Sequence, residues 1–128
     1  QPTPTDQGAL VRCVLESLAL KYRWVLEKLE TIMGKRLDPI HIVGGGTQNQ
    51  LLCQLTADAT GRQVVAGPVE ATAIGNLIVQ AMALKLVGSL QEGRELIRRS
   101  FDVTVYEPAP EREPWDVAYT RLVRLVEP

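Results

Sequence analysis

The sequence has no excess of charge of either sign. Its 14 Lys and Arg against 15 Asp and Glu leave a formal net charge of -1, which excludes the basic footprint of a nucleic-acid binder. No block of like charges forms an interaction tail. There is a single histidine, His41, and the two cysteines, Cys13 and Cys53, stand far apart with no Cys-x-x-Cys spacing. That composition argues against a structural zinc site. Unclustered cysteines suit a reducing compartment, so small core thiols in a cytoplasmic protein are expected. No apolar run approaches the ~20 residues of a membrane-spanning helix. Gln1 to Thr5 lack a basic region followed by an apolar run, so no signal peptide is expected. No initiator Met opens the chain, so a fragment or a processed product is expected. What is there is ordinary: 128 residues, 45% hydrophobic and 23% charged, enough for one domain around one core.

The pattern along the chain predicts alternating helices and strands. After an extended lead-in from Pro2 to Thr5, Thr5 or Asp6 can cap a helix that runs to about Met33. Val11, Leu15, Leu18, Tyr22, Val25, Leu29 and Ile32 form one stripe at alternating four and three spacings. Leu10, Val14, Trp24 and Leu26 widen it, so this helix is expected to pack on more than one side. A core helix against a sheet and a dimeric coiled coil share that spacing. Gly34 ends the helix. Pro39 to Val43 is mostly apolar without polar alternation, which predicts a parallel strand covered on both faces, with His41 as a packed strand residue rather than a catalytic one. Gln48 to Thr60 is the second helix, with Leu51, Leu52, Leu55 and Ala59 inward and Gly61 after it. Gln63 to Ala66 is a short strand that Gly67-Pro68 stops. Strand, glycine turn, helix and strand make one βαβ unit. Val69 to Val87 is apolar nearly all round and is expected to be buried on most sides, with Gly75 marking a close approach of another backbone or ligand. Ser89 caps a further helix to about Ser100, with Glu92 at the capping-box position. Phe101 to Tyr106 alternates as an edge strand or arm. Glu107 to Pro110 is a stiff linker, and Pro114 to Val126 a closing helix.

The organising stretch is Pro39-Ile40-His41-Ile42-Val43-Gly44-Gly45-Gly46-Thr47-Gln48-Asn49. Three glycines let a ligand or another backbone come close, and a helix opening beside them presents unpaired N–H groups that suit a phosphate. A P-loop fails because no Lys follows the glycines. A dinucleotide loop fails because Asn49 replaces the third glycine and Val64-Val65-Ala66-Gly67 supply no acid. The template left is an actin-like ATPase turn, in which a side chain on the following helix reaches the base or sugar. Asn49 sits where it can do that, and its amide both donates and accepts. The alternative is a tight turn in which Asn49 only caps the helix.

The flanking residues carry a resemblance. Gly44-Gly45-Gly46-Thr47-Gln48-Asn49 with Gln54-Leu55-Thr56-Ala57-Asp58-Ala59-Thr60-Gly61 resembles the pattern Gly-Gly-Gly-x-x-Asn…Gln-x-x-Ala-Asp-x-x-Gly of the FGGY carbohydrate kinases, C-terminal domain. Glu70-Ala71-Thr72-Ala73-Ile74-Gly75 resembles the helix start that follows it in that family, and Arg12 to Ala19 the helix before it. The likeness covers about Arg12 to Pro108 and, within the family, is strongest to members that act on L-rhamnulose. It implies an α/β, ribonuclease H-like (actin-like ATPase) fold with a short, mostly parallel sheet and several helices, the first strands of the domain missing. It also implies an ATP-dependent transfer of phosphate to a ketose sugar, with Mg2+ in the intact enzyme. By the same likeness Gly44, Gly45, Gly46 and Asn49 are the ATP-binding residues. Asp58 and Glu70 also match family positions, though each sits at a helix end, where a structural role is the simpler reading. Residues 1–108 would be the nucleotide-binding domain and 109–128 a helical extension.

The family's base is an Asp far upstream, and neither it nor the phosphate loop and sugar contacts has a counterpart here. No catalytic or metal-binding residue is therefore assigned, and the chain alone is expected to be inactive, because phosphoryl transfer needs both sides of a cleft. Its partners would be the N-terminal sugar-binding domain of the same enzyme and the sugar, with no nucleic acid and no membrane. The strand at Pro39 to Val43 would lose its neighbour, and an open apolar edge invites a homodimer or swapped assembly. A nucleotide-binding regulatory module and a purely structural dimerisation module are the competing readings.

Overall fold

The structure, a computed structural model, describes residues 6–127; the lead-in and the alternative cap Thr5 lie outside them. Helix α1 (Gln7–Met33) starts on Asp6, whose carboxylate accepts from Ala9 N–H at 2.8 Å, and ends at Gly34 in the left-handed region. Strand β1 (Ile40–Ile42), a 3₁₀ turn (Gly44–Gln48), helix α2 (Gln50–Thr60) and strand β2 (Val64–Ala66) follow. Then come α3 (Ala71–Ala83), α4 (Leu90–Ser100), β3 (Thr104–Tyr106) and α5 (Glu113–Val126). The sheet order is β1-β2-β3, with β1 parallel to β2 and β3 antiparallel to β2. The sheet is thus short and mixed, and β3 is an edge strand as its alternation predicts. Among the described residues nothing pairs with the other edge of β1.

Helix α2 is the centre of the core. Ile40, Ile42, Val64, Ala66 and Tyr106 share one sheet face and pack against Cys53 and Ala57. The opposite side of α2 gives Leu55 and Ala59 to a second cluster with Ala19 and Leu20 of α1 and with Trp115, Ala118, Tyr119 and Leu122 of α5. The small residues of α2 let the sheet and two helices close around it. Its buried hydroxyls are satisfied within the helix, Thr56 donating to Leu52 O and Thr60 to Thr56 O.

Four expectations are corrected. The α1 stripe is not the packed face: Val11, Leu18, Tyr22, Val25, Leu29 and Ile32 stay exposed, Ile32 at 80%. The contact face is offset toward Ala19, Leu20 and Arg23, because α2 and α5 approach there. Helix α3 buries only Ile74 and Ile78, and a Cβ at Gly75 would meet nothing within 4 Å; its main neighbour is α4, which comes close at Gly93, where a Cβ would lie 2.7 Å from Ile78 Cγ2. Leu51 is exposed on α2, because that side faces neither the sheet nor α1. Strand β1 is covered on one face only; His41 points to the other face and is exposed, so it is not packed.

Polar contacts hold α5 and the linker. Gln54 Nε2 donates to Glu107 O, and Asp58 Oδ1 accepts from Gln54 and from Ala109 N–H, each at 2.9 Å. Arg23 donates to Asp116, Glu27 and Ala59 O while its guanidinium lies 4.2 Å from the centre of the Tyr119 ring. Tyr119 in turn donates to Glu27 at 2.6 Å. Burial and this hydrogen bond to a carboxylate push the Tyr119 phenol pKa upward.

Candidate nucleotide site

Strand β1 delivers the backbone to the turn. Val43 is still extended, and Gly44 then reverses the chain at φ +75, a conformation that residues with a Cβ rarely adopt. The turn is tied to the exit of β2: Gly44 N–H donates to Pro68 O at 3.1 Å, and Gly67 N–H to Ile42 O at 2.9 Å. Within it, Thr47 Oγ1 donates to Gly44 O at 2.8 Å and Asn49 N–H to Gly46 O at 3.3 Å. Cys53, fully buried, lies beneath it with its Sγ 3.8 Å from Gly46 O. Burial raises the Cys53 pKa, so the group remains a thiol and a weak donor.

The three glycines are not equivalent. At Gly44 the backbone conformation itself requires glycine, and an added Cβ would stand 3.9 Å from Val69 O. At Gly46 a Cβ would make an ordinary contact, 3.5 Å, with Ile42 Cγ2. Gly45 is exposed, and a Cβ there would meet nothing within 4 Å. Neither packing nor strain inside the chain calls for glycine at that position, so the bare backbone lies open to whatever approaches from outside.

Asn49 closes the turn and opens α2. Its Oδ1 accepts from Leu52 N–H at 3.0 Å, so it is the N-cap of α2. The helix therefore begins at Gln50 rather than Gln48, and the glycines lie in the 3₁₀ turn before it. That cap engages one of the two lone pairs of Oδ1, so the outward contact falls chiefly to the Nδ2 hydrogens. The exposed apolar side chains Val43, Leu51 and Val69 belong to the same stretches.

Other residues singled out in the sequence are not gathered here. Asp58 is near the far end of α2, holding the linker as described above. Glu70 occupies the N-cap position of α3 but makes no side-chain capping bond, and it is exposed. Among the described residues no three His, Cys, Asp or Glu side chains cluster to hold a metal, and no helix is long and apolar enough to cross a membrane. A cavity of ≈ 280 Å³ between α1 and α5, lined by Arg12, Leu20, Pro114 and Trp115 among others, contains no residue of the turn. Thr47 and Cys53, which brace the turn, were missed; the only signal was a Thr three residues after Gly44, the spacing of a local hydroxyl-to-backbone bond.

A family model described as the FGGY family of carbohydrate kinases, C-terminal domain, matches residues 1–84. A rhamnulokinase of Bacteroides thetaiotaomicron is 47% identical over 119 residues, covering 93% of this chain and 24% of the relative. Among solved structures, a glycerol kinase of Plasmodium falciparum with ADP superposes over 99% of this chain and 25% of its own, with a TM-score of 0.78 and 22% identity. A xylulose kinase of Rhodospirillum rubrum covers 98% of this chain and 25% of its own, with a TM-score of 0.71 and 23% identity. At those identities the two structures speak for the fold alone. The chain spans about a quarter of the length of each relative.

Proposed function

The chain belongs to the FGGY family of carbohydrate kinases, and on that premise we propose that it is the nucleotide-binding part of an ATP-dependent sugar kinase. The sugar is L-rhamnulose, phosphorylated to L-rhamnulose 1-phosphate; the support is the 47% identity to a rhamnulokinase. The observation that carries the site is Gly45, exposed backbone that nothing in the chain itself requires to be glycine. An adenine nucleotide lies against Gly44, Gly45 and Gly46, and Asn49 donates from Nδ2 to an acceptor on the base or ribose. The contact is to a nucleoside rather than to a cation: among the described residues no three His, Cys, Asp or Glu side chains cluster to hold a metal, and Mg2+ arrives with ATP and is held from outside these residues.

Among the described residues none is assigned as the base that takes the proton of a sugar hydroxyl. The base and the sugar contacts come from an N-terminal sugar-binding domain of a longer polypeptide. The uncovered apolar side chains of α1, the bare outer face of α3 and the free edge of β1 support that reading. Residues 1–108 form the nucleotide-binding unit and 109–128 the extension whose helix docks on α1 and α2. The enzyme works in the cytoplasm, where ATP and reduced thiols are found.

In a coupled assay with L-rhamnulose and Mg-ATP, the full-length protein turns over and the 128-residue chain does not. Turnover by the chain alone would overturn the division of labour, and inactivity of the full-length protein on L-rhamnulose with activity on another ketose would overturn the substrate. The isolated chain also pairs with a second copy through β1, giving a dimer by light scattering; a monodisperse monomer would contradict this.

A further inference from the structure

We propose that Thr47 is a positioning residue for the nucleotide contact, an inference that rests on reading the glycine turn as the nucleotide site. Three consecutive glycines are the least ordered backbone a chain can offer, and a flexible contact binds weakly because it must be ordered on binding. Here the run is clasped. Thr47 Oγ1 donates to Gly44 O across the turn, and Cys53 Sγ lies against Gly46 O from below. Gly44 N–H and Asn49 N–H are taken by Pro68 O and Gly46 O. The carbonyls on either side of Gly45 are thereby drawn to the chain's own donors. Gly45 alone is left with open space where a side chain would be. Thr47 is half-buried, and its hydroxyl is the only side-chain donor contributed from within the turn itself. It touches no ligand; it holds the surface that does.

The test compares the chain with Thr47→Val, which keeps the shape and removes the hydroxyl, and Thr47→Ser, which keeps the hydroxyl. Two quantities are read by NMR: hydrogen exchange of the Asn49 amide without nucleotide, and the dissociation constant for ADP from backbone amide shifts. Thr47→Val raises the Asn49 exchange rate and weakens ADP by about fivefold, the size of one lost neutral hydrogen bond, while the melting temperature stays near that of the unsubstituted chain. Thr47→Ser restores both. Equal ADP affinity in Thr47→Val and the unsubstituted chain, or a Thr47→Ser as impaired as Thr47→Val, removes the role of Thr47 and leaves the site standing. An unsubstituted chain whose amides do not respond to ADP removes the site, and the role of Thr47 toward nucleotide with it.

Discussion

Glu30→Ala lowers the unfolding free energy by about 3 kcal/mol, because it strands a guanidinium that is mostly out of water. Arg62 Nη2 donates to both Glu30 oxygens, at 2.9 and 3.0 Å, and the two side chains are only 13% and 18% exposed. Glu30 Oε1 also accepts from Leu37 N–H at 2.7 Å, while Arg62 Nε donates to Leu37 O at 3.3 Å. One ion pair thus joins the last turns of α1, the loop entering β1 and the residues entering β2. The hydrogen bond from Leu37 N–H, and then the bond from Arg62, hold the Glu30 carboxyl below the usual carboxylate range. A carboxyl whose folded pKa is depressed contributes stability that is present above its unfolded value, about 4.3. That contribution is lost as the pH falls through the folded pKa. Asp116, lowered by the hydrogen bond from Arg23, acts in the same direction. Urea denaturation at pH 7 should show the full loss in Glu30→Ala. Between pH 5 and 3 the unsubstituted chain should lose more stability than the variant. A variant within about 0.5 kcal/mol of the parent at pH 7, the range of ordinary surface changes, would mean the pair is not structural.

Substitutions at Asn49 should separate its role as the cap of α2 from its proposed role as a donor to the nucleotide. Asn49→Ala removes the cap of α2 and the outward donors together. It should cost about 1 kcal/mol of stability and weaken ADP at least about tenfold, the loss of a donor to a buried acceptor. Asn49→Asp keeps an oxygen for Leu52 N–H, so its melting temperature should stay close to that of the parent. It has no N–H to donate and brings a negative charge toward a polyphosphate, so ADP binding should fall as far as in Asn49→Ala or further. Calorimetric melting and ADP titration of the same three proteins read both effects. An Asn49→Asp that binds ADP like the parent would reduce Asn49 to a cap.

Local signals in this sequence carried well. Asp6 and Gly34 bound α1, Gly61 ends α2, Ser89 caps α4 with its hydroxyl accepting from Glu92 N–H, and the strand–glycine–helix–strand order stands as β1, the turn, α2 and β2. These features are decided by a few neighbouring residues. Which face packs is not decided locally. The heptad-like stripe of α1 is real as a pattern, yet the chain closes on the adjacent face, where Ala19 is small and Arg23 and Glu30 find partners on α2, α5 and the loop before β2. Helix α3 reads as the most buried and is largely exposed, while α2, with more polar residues, is buried almost all round because Cys53, Ala57 and Ala59 leave room for close neighbours.

The local arrangement of the candidate site was legible to the same depth. The glycines and Asn49 stand together as their spacing requires. What the letters could not give was the hydrogen bond that occupies Asn49 Oδ1, or the clasp that Thr47 makes three residues back along the turn. Both depend on backbone geometry that forms only once the turn is folded against Pro68 and Cys53. His41, adjacent in sequence, points to the other side of the strand and takes no part.

The central claim is that exposed backbone at Gly45 is a surface for an adenine nucleotide. Titrating the isotopically labelled chain with Mg-ADP and following every backbone amide tests it most directly. Saturable shifts concentrated at Gly44, Gly45, Gly46 and Asn49 are expected. Shifts confined to another part of the chain, or none at millimolar Mg-ADP, would contradict the claim.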